Sequence, residues 1–136
     1  MTRPWLVLLP WLLGCAYAPR VEATERGLAT YYTVQSCQQE GTSGIRTASG
    51  ERYDETAFSC ALPHRRFGYL YRVCRSDRTR SCIVARHNDV GPGRRARARG
   101  VVIDLTPAAF DALGGTRGCG RRGCWGELSV SVERLP

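Results

Sequence analysis

Between Arg86 and Leu105 the chain reads RHNDVGPGRRARARGVVIDL, a stretch that combines two carboxylates, a histidine, a Gly-Pro turn and a run of arginines. Asp89 stands immediately before the Gly91-Pro92 turn. A carboxylic acid held at a strand end can donate a proton to a leaving oxygen, provided that partial burial keeps it protonated when needed. Asn-Asp before Gly-Pro is also ordinary turn chemistry, so a capping role accounts for the same residues. His87 lies two positions before Asp89 and, in an extended strand, shares its face, where it could tune the acid or contact a substrate. A histidine packed on that face with a backbone partner fits equally. Asp104 could pair with Asp89 as acid and base, or could order the loop ahead of Thr106.

Around these residues the chemistry is cationic. All twenty basic residues are arginine, and the formal charge is +8. Arg94, Arg95, Arg97 and Arg99 form a dense cluster suited to carboxylates, phosphates or anionic lipid, although a solvated loop and a genomic composition bias account for them too. Nucleic acid would satisfy the charge. No nucleic-acid motif accompanies it, however, and the export features below argue against such a partner.

The elements that must position these groups are short. A chain of 136 residues suits one domain. Its 43% hydrophobic content with 15 glycines and 7 prolines favours strands and turns over long helices. GLATYYTV, the pair YLYRVCR and SCIVARHND, VVIDL, and the alternating GELSVSVERL read as strands, the pair as a hairpin. Gln35 to Arg46 is a polar stretch and GPGRRARARG a loop. Thr106 and Pro107 read as N-cap and first turn of the one short helix, AAFDALGG, stopped at Gly114-Gly115. Five or six short strands with one short helix make a mainly β, disulfide-stabilised small barrel.

Residues 1–14 read as an export signal whose apolar run, Trp5 to Leu13, falls short of the ~20 residues needed to cross a bilayer. Two cuts compete: a small-x-small site at Ala16-Tyr17-Ala18, which places Pro19 next to the cut, and a lipobox, LLGC, cut before a lipidated Cys15. Lipidation leaves six of the seven cysteines, a disulfide number in an oxidising compartment. The expected pairs are Cys74–Cys82 across the hairpin, Cys119–Cys124 around GRRG, and Cys37–Cys60 by remainder. Without a CxxC motif, no metal or other cofactor is expected. Residues 15–26 read as a tether and 27–136 as the domain.

At this point GLATYY, TASGERYD, FGYLYRV, RHNDVGP and VVIDLTPAAFDAL, in this order and spacing, resemble the RlpA-like (rare lipoprotein A) family of double-psi β-barrels. Expansins and family 45 endoglucanases look related through the same barrel. The resemblance implies a six-stranded barrel with a glycan-binding groove, and an exported cell-envelope protein that binds peptidoglycan strands and cleaves them as a lytic transglycosylase. It implies Asp89 as the catalytic general acid and places Thr47, Ser49, Glu51 and Tyr53 in a stretch that lines or supports the groove; Asp104 as a groove neighbour and Arg94 and Arg95 as electrostatic contacts are further candidate substrate-binding residues on their own chemistry. A monomer, lipid-anchored through Cys15 to the outer membrane facing the periplasm, or otherwise periplasmic or secreted, is expected. The family's cutting members usually carry a histidine where this chain has Leu62. His64, on the same strand face, and His87 are the candidate substitutes. That departure, and the absence within this sequence of the separate peptidoglycan-binding domain many members carry, support an alternative: a non-catalytic, expansin-like glycan-binding lipoprotein.

Overall fold

A computed structural model describes residues 24–39, 41, 44–120, 123–124 and 126–136. Residues 1–14, Cys15 and most of the tether lie outside the described residues. In chain order the elements are β1 (Glu25–Tyr31), α1 (Val34–Gln39), β2 (Ser59–Leu62), β3 (Leu70–Arg75), β4 (Cys82–Val90), α2 (Arg94–Ala98), β5 (Val101–Leu105), α3 (Pro107–Ala112), β6 (Cys119–Gly120), β7 (Gly123–Cys124) and β8 (Leu128–Arg134). The first strand takes in Glu25 and Arg26, which the sequence reading assigns to the tether.

Six strands close in the order β1-β5-β2-β4-β3-β8. Two pairs are parallel, β1 with β5 and β2 with β4, and the remaining neighbours are antiparallel. This is the closed mixed barrel expected of a double-psi fold. Closure leaves no free sheet edge in the barrel, which satisfies every strand on both sides.

Alternation decides what fills it. In β5, Val101, Ile103 and Leu105 are buried while Val102 and Asp104 are half-buried. Tyr71 and Val73 of β3, Ile83 and Ala85 of β4, and Val130 and Val132 of β8 turn inward in the same way. α3 contributes Phe110, and Leu113 follows it into the core; both are fully enclosed. Gly114, at φ 78°, ends that helix in the left-handed region, where a side chain is disfavoured.

Three expectations need correction or qualification. Three short helices are present among the described residues instead of one, because the polar stretch after Tyr32 forms α1 and the arginine loop winds into α2. The Thr106 side chain makes no capping bond to α3. Its hydroxyl is buried instead beneath the Ala57–Ser59 segment, donating to the Ala57 carbonyl at 2.5 Å and accepting from the Ser59 N–H at 3.2 Å. Cys37 and Cys60 are not bridged to each other. Cys60 faces the closed core of the barrel, whereas Cys37 stands on α1 beside the groove described below.

The hairpin bridge is as expected: Cys74 and Cys82 are direct cross-strand partners, with Cα atoms 4.0 Å apart and a disulfide between them. Cys119 and Cys124 also oppose each other in the β6–β7 ribbon. Their side chains lie outside the described residues.

Candidate functional site

The site grows from an irregularity in β4. Opposite β2, Cys60 pairs with His87 and Ala61 with Asp89, so Asn88 is an extra residue, a β-bulge. The bulge is braced from outside the barrel. Glu51 accepts from Asn88 Nδ2 at 3.0 Å and from Arg86 Nη2 at 2.6 Å, while the Asn88 carbonyl accepts the Ser49 N–H at 3.1 Å.

This extra residue separates two groups that simple alternation puts on one face. His87 is fully buried, with its ring edge-on to His64 and Tyr71 and tilted against Phe67. Its Nδ1 lies 2.8 Å from the Arg66 carbonyl and its Nε2 2.9 Å from the Asp89 carbonyl. Asp89, by contrast, is half-buried and lines a groove of about 1040 Å³.

Asp89 is held by the main chain. Its Oδ1 accepts the N–H of Ala48 at 2.9 Å and of Val90 at 2.8 Å. With both of those donors on one oxygen, a proton carried by the carboxyl belongs on Oδ2.

Asp104 occupies the same cross-strand row. Ala61 pairs with Asp89 on β4 and with Asp104 on β5, and Asp104 pairs in turn with Thr30 on β1. Two strand spacings separate the acids' backbones, about 10 Å. The small Ala61 between them leaves the space above open. Asp104 accepts a hydrogen bond from the Thr30 hydroxyl. It also leans over Gly91, where an added Cβ would meet Asp104 Oδ2 at 2.8 Å and Ala61 Cβ at 3.2 Å. Gly91 is therefore required by close approach, and its cis bond to Pro92 turns the chain toward α2.

Thr47, Tyr53, Asp104, Arg94 and Arg95 line the groove with Asp89, as the sequence reading places them. Ser49 and Glu51 do not: they support it from behind, Ser49 through a 3.0 Å contact with the Thr47 hydroxyl and Glu51 through the bulge. Neither histidine lines it. His64 borders a separate cavity of about 120 Å³ with Leu62, Pro63 and Tyr71. Leu62, at the position of the usual histidine, belongs to the core.

Two residues gain importance from the structure. Tyr31 and Tyr32 both line the groove, although alternation allows only one; β1 ends at Tyr31, so Tyr32 escapes the strand rule. Tyr32 is locked by its ring against Tyr53, centroids 5.0 Å apart, and by its carbonyl, which accepts the Tyr53 hydroxyl at 2.6 Å. Its own hydroxyl is buried and has no hydrogen-bond partner among the described residues. Burial first, and then the nearby Asp89 carboxylate, push its ionisation above the usual phenol range, so it remains a neutral phenol. Burial likewise raises the Cys60 thiol, which stays protonated in the core.

Comparison with known proteins agrees with this architecture. The signature of a family described as "Lytic transglycolase" matches residues 24–124. The chain is 35% identical over 97 residues to the "Probable endolytic peptidoglycan transglycosylase RlpA" of Nostoc sp., covering 71% of this chain and 24% of that protein. It is 33% identical over 97 residues to the protein of the same name from Synechocystis sp., covering 71% of this chain and 27% of that one. The chain thus spans about a quarter of the length of these relatives.

Proposed function

The chain belongs to the lytic transglycolase family of RlpA-like double-psi barrels, and from that membership we propose that it binds peptidoglycan glycan strands in the Asp89 groove and cleaves them as a lytic transglycosylase. The observation that carries this reading is the carboxyl of Asp89, pinned by two main-chain N–H groups where it lines the groove.

In this mechanism the Asp89 carboxyl delivers the proton on Oδ2 to the glycosidic oxygen, and the bond from that oxygen to C1 of the muramyl sugar breaks. The sugar's own C6 hydroxyl oxygen bonds to C1, and its proton returns to the Asp89 carboxylate. No water is consumed, and the product ends in a 1,6-anhydro-muramyl unit. A single acid suffices for both proton transfers, which suits a site where Asp104 is already engaged by Thr30. Asp104 then shapes the groove and contacts substrate, with Thr47, Tyr53 and the α2 arginines.

A second reading, glycan binding without cleavage, draws on one observation: among the described residues lining the groove there is no histidine. Incubating purified sacculi with the domain and with Asp89→Ala distinguishes the two. Release of anhydro-muramyl fragments by the wild type alone supports the transglycosylase, and retention on sacculi with no such product leaves only binding. Export and lipidation at Cys15, with attachment to the envelope, complete the proposal; the mass of the mature N-terminus tests them.

A further inference from the structure

The walls of the groove carry a charge that neutral sugar does not require. Five arginines, Arg46, Arg94, Arg95, Arg97 and Arg99, line it against two carboxylates, Asp89 and Asp104. Arg99 approaches Glu127 at 3.8 Å, and Arg46 donates to the Gly50 carbonyl at 2.9 Å. Arg94, Arg95 and Arg97 are exposed and form no ion pair among the described residues. Outside the groove, Arg72 pairs with Glu133, Arg75 with Asp77, Arg86 with Glu51 and Arg117 with Asp111, while Arg26, Arg52, Arg65, Arg78 and Arg80 form no ion pair among the described residues and are spread over separate segments. What sets Arg94, Arg95 and Arg97 apart is that these three uncompensated cations share one five-residue helix and border the groove together.

Their placement is fixed by the same turn that presents the acid. From Asp89 the chain passes through Gly91-Pro92 directly into α2, which packs against β5, the strand of Asp104. Arg94 therefore follows closely on the acid along the chain and borders the same groove. An N-acetyl sugar backbone offers hydroxyls and amides, for which one or two polar contacts and aromatic rings suffice. Guanidinium forks match carboxylates, with charge-assisted and often bidentate bonds.

Resting on the glycan-binding reading above, we propose that Arg94, Arg95 and Arg97 form a carboxylate-reading subsite, which selects muramyl-containing glycan over uncharged glycan of the same length. Two sources supply the carboxylate: the stem peptide attached to the muramyl unit, or the lactyl group that becomes free when the stem is removed. The arginines act on selection and affinity, separately from proton transfer by Asp89.

The test measures binding in an Asp89→Asn background, so that no strand is cut. Three ligands of equal sugar number are compared by calorimetry: a chitin oligosaccharide, muramyl glycan with stem peptides, and muramyl glycan stripped to its lactyl carboxylates. At least one carboxylated ligand should bind about tenfold more tightly than chitin oligosaccharide, from summed exposed ion pairs. That advantage should shrink as salt is raised from about 50 to about 300 mM, because exposed charges are screened. Replacing all three residues, Arg94→Gln, Arg95→Gln and Arg97→Gln, should reduce it to the chitin level, whereas the three lysine replacements should retain most of the charge-dependent part. The carboxylated ligand that binds tighter identifies the source.

Equal binding of all three ligands, or an unchanged preference in the glutamine variant, overturns the proposal. Fragment release from sacculi by the uncut wild-type chain is scored separately. Charge-dependent binding without anhydro-muramyl release leaves the subsite standing and removes the transglycosylase reading, and release with charge-blind binding does the reverse.

Discussion

Two regions on either side of one bulge, the Asp89 groove and the His64–Tyr71–His87 cluster, contain the residue types that acid–base chemistry uses, yet the fold treats them oppositely. At the histidine cluster the ring is enclosed: the His87 nitrogens lie 2.8 and 2.9 Å from two main-chain carbonyls, to one of which the N–H of a neutral imidazole donates, and the ring packs against three others. At the groove, Asp89 is bound through one oxygen, and among the described residues the Tyr32 hydroxyl has no partner and Arg94, Arg95 and Arg97 have no acid. A buried polar group without a partner costs about 1–3 kcal/mol, so a fold retains such groups where a ligand completes them.

That contrast is sharpest in paired substitutions. Asp89→Asn keeps the shape and the accepting oxygen but cannot deliver a proton, so release of anhydro-muramyl fragments should fall at least about 100-fold, the usual scale of general acid catalysis. Its thermal midpoint should stay within about 2 °C of wild type, since ordinary non-core changes cost little. A large loss of stability would show that Asp89 is a turn cap after all.

His87→Ala should give the opposite result. It empties a core position and removes a donor to a main-chain carbonyl, a loss of about 2–4 kcal/mol in denaturant unfolding. Fragment release per folded molecule should be nearly unchanged. If activity disappears while stability holds, His87 belongs to the site and the division between the two regions fails.

Gly91→Ala tests the boundary itself. The new methyl would collide with Asp104 and Ala61, and overpacking of this kind costs about 1–3 kcal/mol. Glycan binding should weaken with it, because Asp104 has to move within the groove wall. Unaltered binding would remove Asp104 from the substrate surface.

The smallest effect lies away from both regions, in the β3–β4 turn, and calibrates them. The Thr79 hydroxyl, then Arg75, holds the Asp77 carboxyl below the ordinary carboxylate range. A carboxyl depressed in the folded state stabilises above its unfolded value, near about 4, and that contribution is lost as pH falls through the folded value. The difference in thermal midpoint between wild type and Asp77→Asn should be constant from about pH 5 to 7 and shrink below about pH 4. A difference that persists at lower pH would assign the effect to shape instead of charge.

Much of this molecule follows from local pattern. Alternation in VVIDL and LSVSV places inward and outward residues because the period of a strand is a property of its own backbone. Pro107 and Gly114 bound α3, since each acts on the dihedral angles at its own position. Cys74 and Cys82 bracket a short turn and could be paired by register, whereas Cys60 could not be assigned correctly without knowing that β2 faces the core. The arginine run showed its charge but not its helix, because a five-residue helix this short is stabilised by packing on β5 more than by its own propensity.

The candidate site was half legible for the same reason. The order of residues and its family resemblance identified Asp89, Asp104, Thr47 and Tyr53, which depends on residue type and spacing. The separation of His87 from Asp89, and the choice of Glu51 as brace instead of lining, depend on one extra residue at Asn88. A bulge is defined only against the partner strand. β2 and β4 are brought together by barrel closure between segments distant in sequence, so no period within β4 could reveal it; the tertiary structure alone decided which side of the strand each group would serve.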